Sequence, residues 1–166
     1  MKILWYGLWL VLLTLLQPTL ICELTLFGIH PNLFLCFVVI AGYYRGPLEG
    51  GIAGALFGLV YDLLIGRLMG VDALLYLYLG VMAGILGTRF FSGGKRLAIC
   101  ATAGAGTLLC AVVYYLVRMT VWGDISFVTA VFRIGLIEAL YQLPVAFLLS
   151  FVIAKTMKWM RLRQIS

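Results

Sequence analysis

The chain has 166 residues, 64% hydrophobic and only 11% charged, with 12 Lys and Arg against 6 Asp and Glu and a net charge of +6. A globular domain is about 45–50% apolar and about 25% charged. A soluble protein of this size cannot hide so much apolar side chain, and the composition reads as an integral membrane protein with no room for a separate soluble domain. The positive balance is no nucleic-acid signature, because the basic residues fall between apolar segments and at the C-terminus, as they do where lipid is the solvent.

Six membrane spans are predicted, at about 3–22, 29–44, 49–66, 69–88, 97–117 and 126–154, followed by a basic tail over 155–166. Several of these runs reach the roughly 18–20 residues that cross a bilayer as a helix, so the expected fold is an all-α compact bundle of about six transmembrane helices. The first run has no charge between Ile3 and Cys22. It is too long for a signal-peptide core and lacks a small-x-small cleavage site; bulky Ile21 also makes Cys22 a poor lipobox cysteine, so the segment is expected to stay as an anchor. Cys22, Cys36, Cys100 and Cys110 lie in or beside apolar segments without a CxxC pair, which reads as buried packing, with little support for a disulfide or a metal. His30, at the start of the second segment, reads as an interfacial residue.

The third segment carries Gly50, Gly54 and Gly58 at a spacing of four, which puts them on one helix face. Gly80 and Gly84 repeat the spacing in the fourth segment, and Ala101, Ala105 and Gly106 are the small residues of the fifth. Removing side chains lets helix backbones approach closely where lipid supplies no hydrophobic drive. Two readings follow: packing inside the bundle, or a docking surface for another membrane protein. Asp62 extends the glycine row by one more turn, so it faces the packed side. An ionised carboxylate in hydrocarbon costs roughly 2.5–3.5 kcal/mol on insertion scales. It is expected to bond the backbone of the turn Gly66 to Gly70 or to pair with Arg67; a proton-carrying or ligand role is the alternative, but no second acid or histidine completes a relay. Asp72 falls where the positive end of the fourth helix begins.

In the last segment Arg133 and Glu138 are five residues apart, about 140° around a helix, so each is expected to find a separate partner. Arg133 is close enough to the boundary to snorkel. Glu138, Tyr141, Gln142 and Pro144 form a polar patch that reads equally as a partner-helix contact or a small cavity, with a kink at the proline. Lys155, Lys158, Arg161 and Arg163 alternate with apolar residues and are expected to lie on anionic headgroups, a partner-docking tail being the alternative.

Orientation follows from the basic residues. With the N-terminus inside, Lys2, Arg45, Arg89, Lys95, Arg96, Lys155, Lys158, Arg161 and Arg163 are cytoplasmic, against Arg67 and Arg118 outside; both termini are therefore expected in the cytoplasm. There is no HExxH, GxSxG or phosphate-binding loop, so no enzyme chemistry, cofactor or metal is expected.

Over residues 30 to about 84 the chain carries His30-Pro31-Asn32, Tyr44-Arg45-Gly46-Pro47, a run from Gly54 through Gly58 to Asp62, and Leu68-Met69-Gly70 followed by Ala73-Leu74. In these motifs it resembles the rod shape-determining protein MreD family. The family often has an acid after the proline where this chain has Asn32. The resemblance implies a non-enzymatic inner-membrane scaffold of the bacterial elongation machinery. Its partners would be the bitopic protein MreC, through it the MreB filament, and a peptidoglycan glycosyltransferase with its penicillin-binding transpeptidase. It also implies a fold like the six-helix substrate-binding subunits of energy-coupling-factor transporters. On this view Gly50, Gly54, Gly58, Asp62, Gly70, Gly80 and Gly84 serve partner binding or helix packing. A homodimer stays open, and the alternative function is a solute-binding subunit of a vitamin-type transporter, with Asp62, Asp72, Arg118 and Trp122 rimming an outer cavity.

Overall fold

A computed structural model describes residues 2–23, 31–65, 70–89, 95–122 and 135–162. They form six helices: α1 (Lys2–Glu23), α2 (Leu33–Arg45), α3 (Pro47–Ile65), α4 (Val71–Arg89), α5 (Lys95–Trp122) and α6 (Leu136–Leu162), with no strand among the described residues. Pro47–Ile65, Val71–Thr88, Arg96–Val117 and Leu136–Thr156 are long and apolar enough to cross a membrane, while α1 and α2 contribute shorter apolar stretches, Leu4–Thr19 and Leu33–Arg45. The all-helical membrane bundle expected from composition is what the chain forms.

Two helices run on past the predicted spans. The described part of the last helix starts at Leu136 and continues through Leu162, so Lys155, Lys158 and Arg161 lie on its final turns. Neither glycine nor proline interrupts the sequence after Pro144, and Pro144 itself is carried within α6. The fifth helix is also longer than expected, beginning at Lys95 and reaching Trp122, one residue before Gly123.

The second helix is the axis of the molecule. Every residue from Leu33 to Tyr43 is buried, and α2 touches all the other helices. Its 13 residues rise only about 20 Å at 1.5 Å per residue, against a hydrocarbon core about 30 Å thick. One end of α2 therefore stops inside the bundle, and its backbone groups must be satisfied by protein. Midway along it, the Phe37 ring stacks on Phe57 of α3 at 4.6 Å and meets Trp5 and Trp9 of α1 at 5.7 and 5.5 Å. These aromatic contacts fasten α1, which among the described residues packs on α2 and α3 alone.

The turn between α2 and α3 is set by Gly46-Pro47. Gly46 has φ +95°, a conformation open to glycine at no steric cost. Its N–H caps α2 by donating to the Gly42 carbonyl at 2.8 Å, and its own carbonyl accepts from Gly50 at 2.9 Å to begin α3. Pro47 occupies the first helical position, where a missing N–H removes nothing. One glycine thus ends a helix and starts the next, which returns α3 alongside α2.

Candidate functional site

The glycine row of α3 faces α4 of the same chain. A Cβ built on Gly58 would lie 2.6 Å from Ala73 Cα, one on Gly54 would run into the Tyr76 carbonyl group, and one on Gly50 would lie 2.5 Å from the Gly80 oxygen. The contacts step up α4 as they step down α3, as antiparallel helices require. From the other side, a Cβ on Gly80 would strike the Gly50 carbonyl, and one on Gly84 would strike Gly46 and Pro47. Gly42 of α2, which the sequence reading did not single out, completes the junction: its Cβ would sit 2.5 Å from Gly80 O. The close backbone approach foreseen for these glycines is made within the chain, leaving this face no room for a foreign helix. Gly106 of α5 rests on Leu79 of α4, while Ala101 and Ala105 are exposed.

Asp62 lies beyond the last turn of this seam and closes the start of α4. Its Oδ2 accepts N–H bonds from Gly70 at 2.8 Å and Ala73 at 3.2 Å, and its Oδ1 accepts from Asp72 at 3.2 Å. The first N–H groups of a helix have no partner within it, and a carboxylate at that end is favoured by the helix dipole. Gly70 provides the entry with φ +96°, and its carbonyl accepts the first bond of the helix from Leu74 at 3.0 Å. Asp72 is buried too, and the Tyr114 hydroxyl of α5 donates to it.

A second cap holds the buried end of α2. Asn32 Oδ1 accepts from Leu35 N at 3.1 Å, an N-cap bond, while its amide donates to the Tyr76 hydroxyl of α4. Gln142 of α6 pairs with the Asn32 backbone at both ends of its amide, accepting from the N–H at 2.9 Å and donating to the carbonyl at 2.7 Å. Gln17 of α1 does the same one step along, accepting from Leu33 N at 3.1 Å and donating to the Pro31 carbonyl at 3.0 Å. Two glutamines from opposite ends of the sequence thus clasp three consecutive residues, and all the side chains involved are buried. The sequence reading named Gln142 and Asn32 but missed Gln17 and Tyr76. Gln17 stands alone in an uncharged run, and nothing local signals a partner fourteen residues on.

At the other end of α2, Arg45 lies 3.7 Å from Glu49 and over the Trp5 ring, while Tyr6 donates to Glu49 at 3.2 Å. This group ties α1 to the turn between α2 and α3. Glu138 is half-buried in the first turn of α6. Lys155 is exposed on α6. Arg133, Arg163, His30 and Arg67 lie outside the described residues, as do the side chains of Lys158, Arg161, Arg118 and Trp122.

Among the described residues, the Tyr43 hydroxyl is the one buried side-chain polar atom without a partner, and no group of three or more His, Cys, Asp or Glu could hold a metal ion. Asn32, Gln17, Gln142 and Asp62 spend their polar groups on helix ends, while buried Thr107 and Ser150 bond carbonyls of their own helices. What faces outward is apolar: on α3, Leu48, Ile52, Leu56, Leu59 and Leu63 form one exposed row opposite the glycines.

A family model for the rod shape-determining protein MreD matches residues 2–160. No curated protein and no solved structure matches the chain significantly. The family match reaches into all six helices, and four of them are long and apolar enough to cross a membrane. The chain belongs to the MreD family of rod shape-determining membrane proteins.

Proposed function

We propose that this protein is a non-enzymatic scaffold of the cell-elongation machinery in the bacterial inner membrane, with both termini in the cytoplasm. It holds an MreC partner, and through it the MreB filament, beside the peptidoglycan glycosyltransferase and transpeptidase. The observation that carries the reading, beyond the family, is that Gln17, Asn32, Asp62 and Gln142 use their hydrogen-bonding groups on helix ends of the same chain. A solute site would need such groups aimed at a cavity. In membrane transporters, the start of an interrupted helix is a favoured ligand position; here glutamine amides fill that place on α2. Contact with partners then falls to the outward apolar rows, where helix association rests on packing.

Purification of the full chain in mild detergent from its own membranes tests this. The expected result is co-purification of a bitopic MreC-like protein. A tightly retained small solute, with no membrane-protein partner, would overturn the scaffold in favour of a solute-binding subunit.

A further inference from the structure

We infer that the seam between the start of α5 and the end of α6 is a binding site for an anionic phospholipid, independent of the partner contacts proposed above. The Arg96 guanidinium lies 5.3 Å over the Phe151 ring, a cation–π geometry that fixes the cation across the two helices. Lys155 follows Phe151 by one turn on the same face of α6, and both basic residues are exposed. Arg96 begins the membrane-crossing stretch of α5 and Lys155 is one residue from the end of that of α6, so in this antiparallel pair both charges stand at headgroup depth on one side of the bilayer.

Among the described residues, no carboxylate is paired with Arg96 or Lys155. Glu49 is the one carboxylate at this end of the bundle among the described residues, and it is engaged by Arg45 and Tyr6 beside α1. Asp62, Asp72 and Glu138 lie at the opposite end of their helices. Below the cations the surface turns apolar. Leu148 and Val152 share the stripe of Phe151 and Lys155 and are 67% and 49% exposed, and Leu97 beside Arg96 is 82% exposed. A phosphate bearing net negative charge would be bound by Arg96 and Lys155 together, with its acyl chains along Val152 and Leu148. An acidic protein segment would match the charges but not the apolar stripe that continues to hydrocarbon depth.

The test uses the full chain purified in micelles containing equal parts phosphatidylglycerol and phosphatidylcholine, with the co-purified lipids quantified by mass spectrometry. A basic side chain at an anionic surface is worth about a fivefold preference. Phosphatidylglycerol should therefore be enriched on the wild-type protein, and the double variant Arg96→Gln/Lys155→Gln should reduce that enrichment about twenty-five-fold. Lys2→Gln, at the start of α1, removes a charge elsewhere and should leave the enrichment intact. Melting temperatures of all three proteins should agree. Equal enrichment on wild type and double variant would overturn the site. So would an equal loss in Lys2→Gln, which would mean a response to total charge. Absence of enrichment, with loss of a bound acidic protein in the double variant, would instead identify the surface as a protein contact.

Discussion

A Gly54→Leu chain should fail to fold, and should not merely lose one binding partner. Even a single added carbon at Gly54 falls 2.5 Å from the Tyr76 carbonyl carbon. The obstacle is backbone, which cannot rotate away as a side chain can. Overpacking a core costs about 1–3 kcal/mol when side chains can adjust; with a helix backbone in the way, more than about 3 kcal/mol is expected. Separating α3 from α4 to admit the leucine also withdraws Gly50 from Gly80 and Gly58 from Ala73, because the three contacts share one seam. Leu56, two residues away, is 57% exposed, and Leu56→Ala should change stability by no more than about 0.5 kcal/mol. Thermal melting in detergent and protein abundance in membranes distinguish the two. Normal melting of Gly54→Leu with loss of a partner alone would mean that the glycine row is a docking surface after all.

Replacing Asp62 by asparagine should also be destabilising, although the side chains are nearly the same shape. Both carboxylate oxygens of Asp62 accept N–H bonds, so an asparagine must turn an NH2 group toward at least one of those donors. The lost bond and the buried unpaired donor cost about 1–3 kcal/mol. Asp62→Ala, which abandons all three N–H groups, should cost more. Hydrogen exchange at the amides of Gly70, Asp72 and Ala73 reads the effect directly: they should exchange faster in Asp62→Asn and faster still in Asp62→Ala. Unchanged protection in Asp62→Asn, with activity in cell-shape maintenance abolished, would point to a role for the negative charge itself.

How legible the molecule was depended on whether the physical signal was local. The apolar runs announced their helices because lipid requires length and the near-absence of charge, and both can be counted along the chain. Gly50, Gly54 and Gly58 announced a close-packed face through their spacing, and Asp62 announced a bond to the following turn through its place on that face. What lay across from the face was not legible, since packing inside the chain and docking from outside require the same small residues. Gly42 has no glycine at helical spacing in its own segment; its counterpart is Gly80, two helices away. Gln17 and Gln142 look like isolated polar residues until α1 and α6 are brought to the same three residues of backbone. The central position of α2 was hidden for a related reason. Its sequence is apolar all round, which suits a lipid-facing helix and a fully enclosed one equally.

The MreD family assignment and the internal geometry meet in one claim: the glycine and polar features build the bundle, and the outward rows are what other proteins can touch. The most direct test is a scan of photo-crosslinking residues along α3 in living cells. Probes at Leu48, Ile52, Leu56, Leu59 and Leu63, all exposed, should capture membrane partners from one or more positions. A probe at Ala53, which is buried, should give only crosslinks within the chain. Capture of a foreign protein from Ala53, with the outward row silent, would contradict the account.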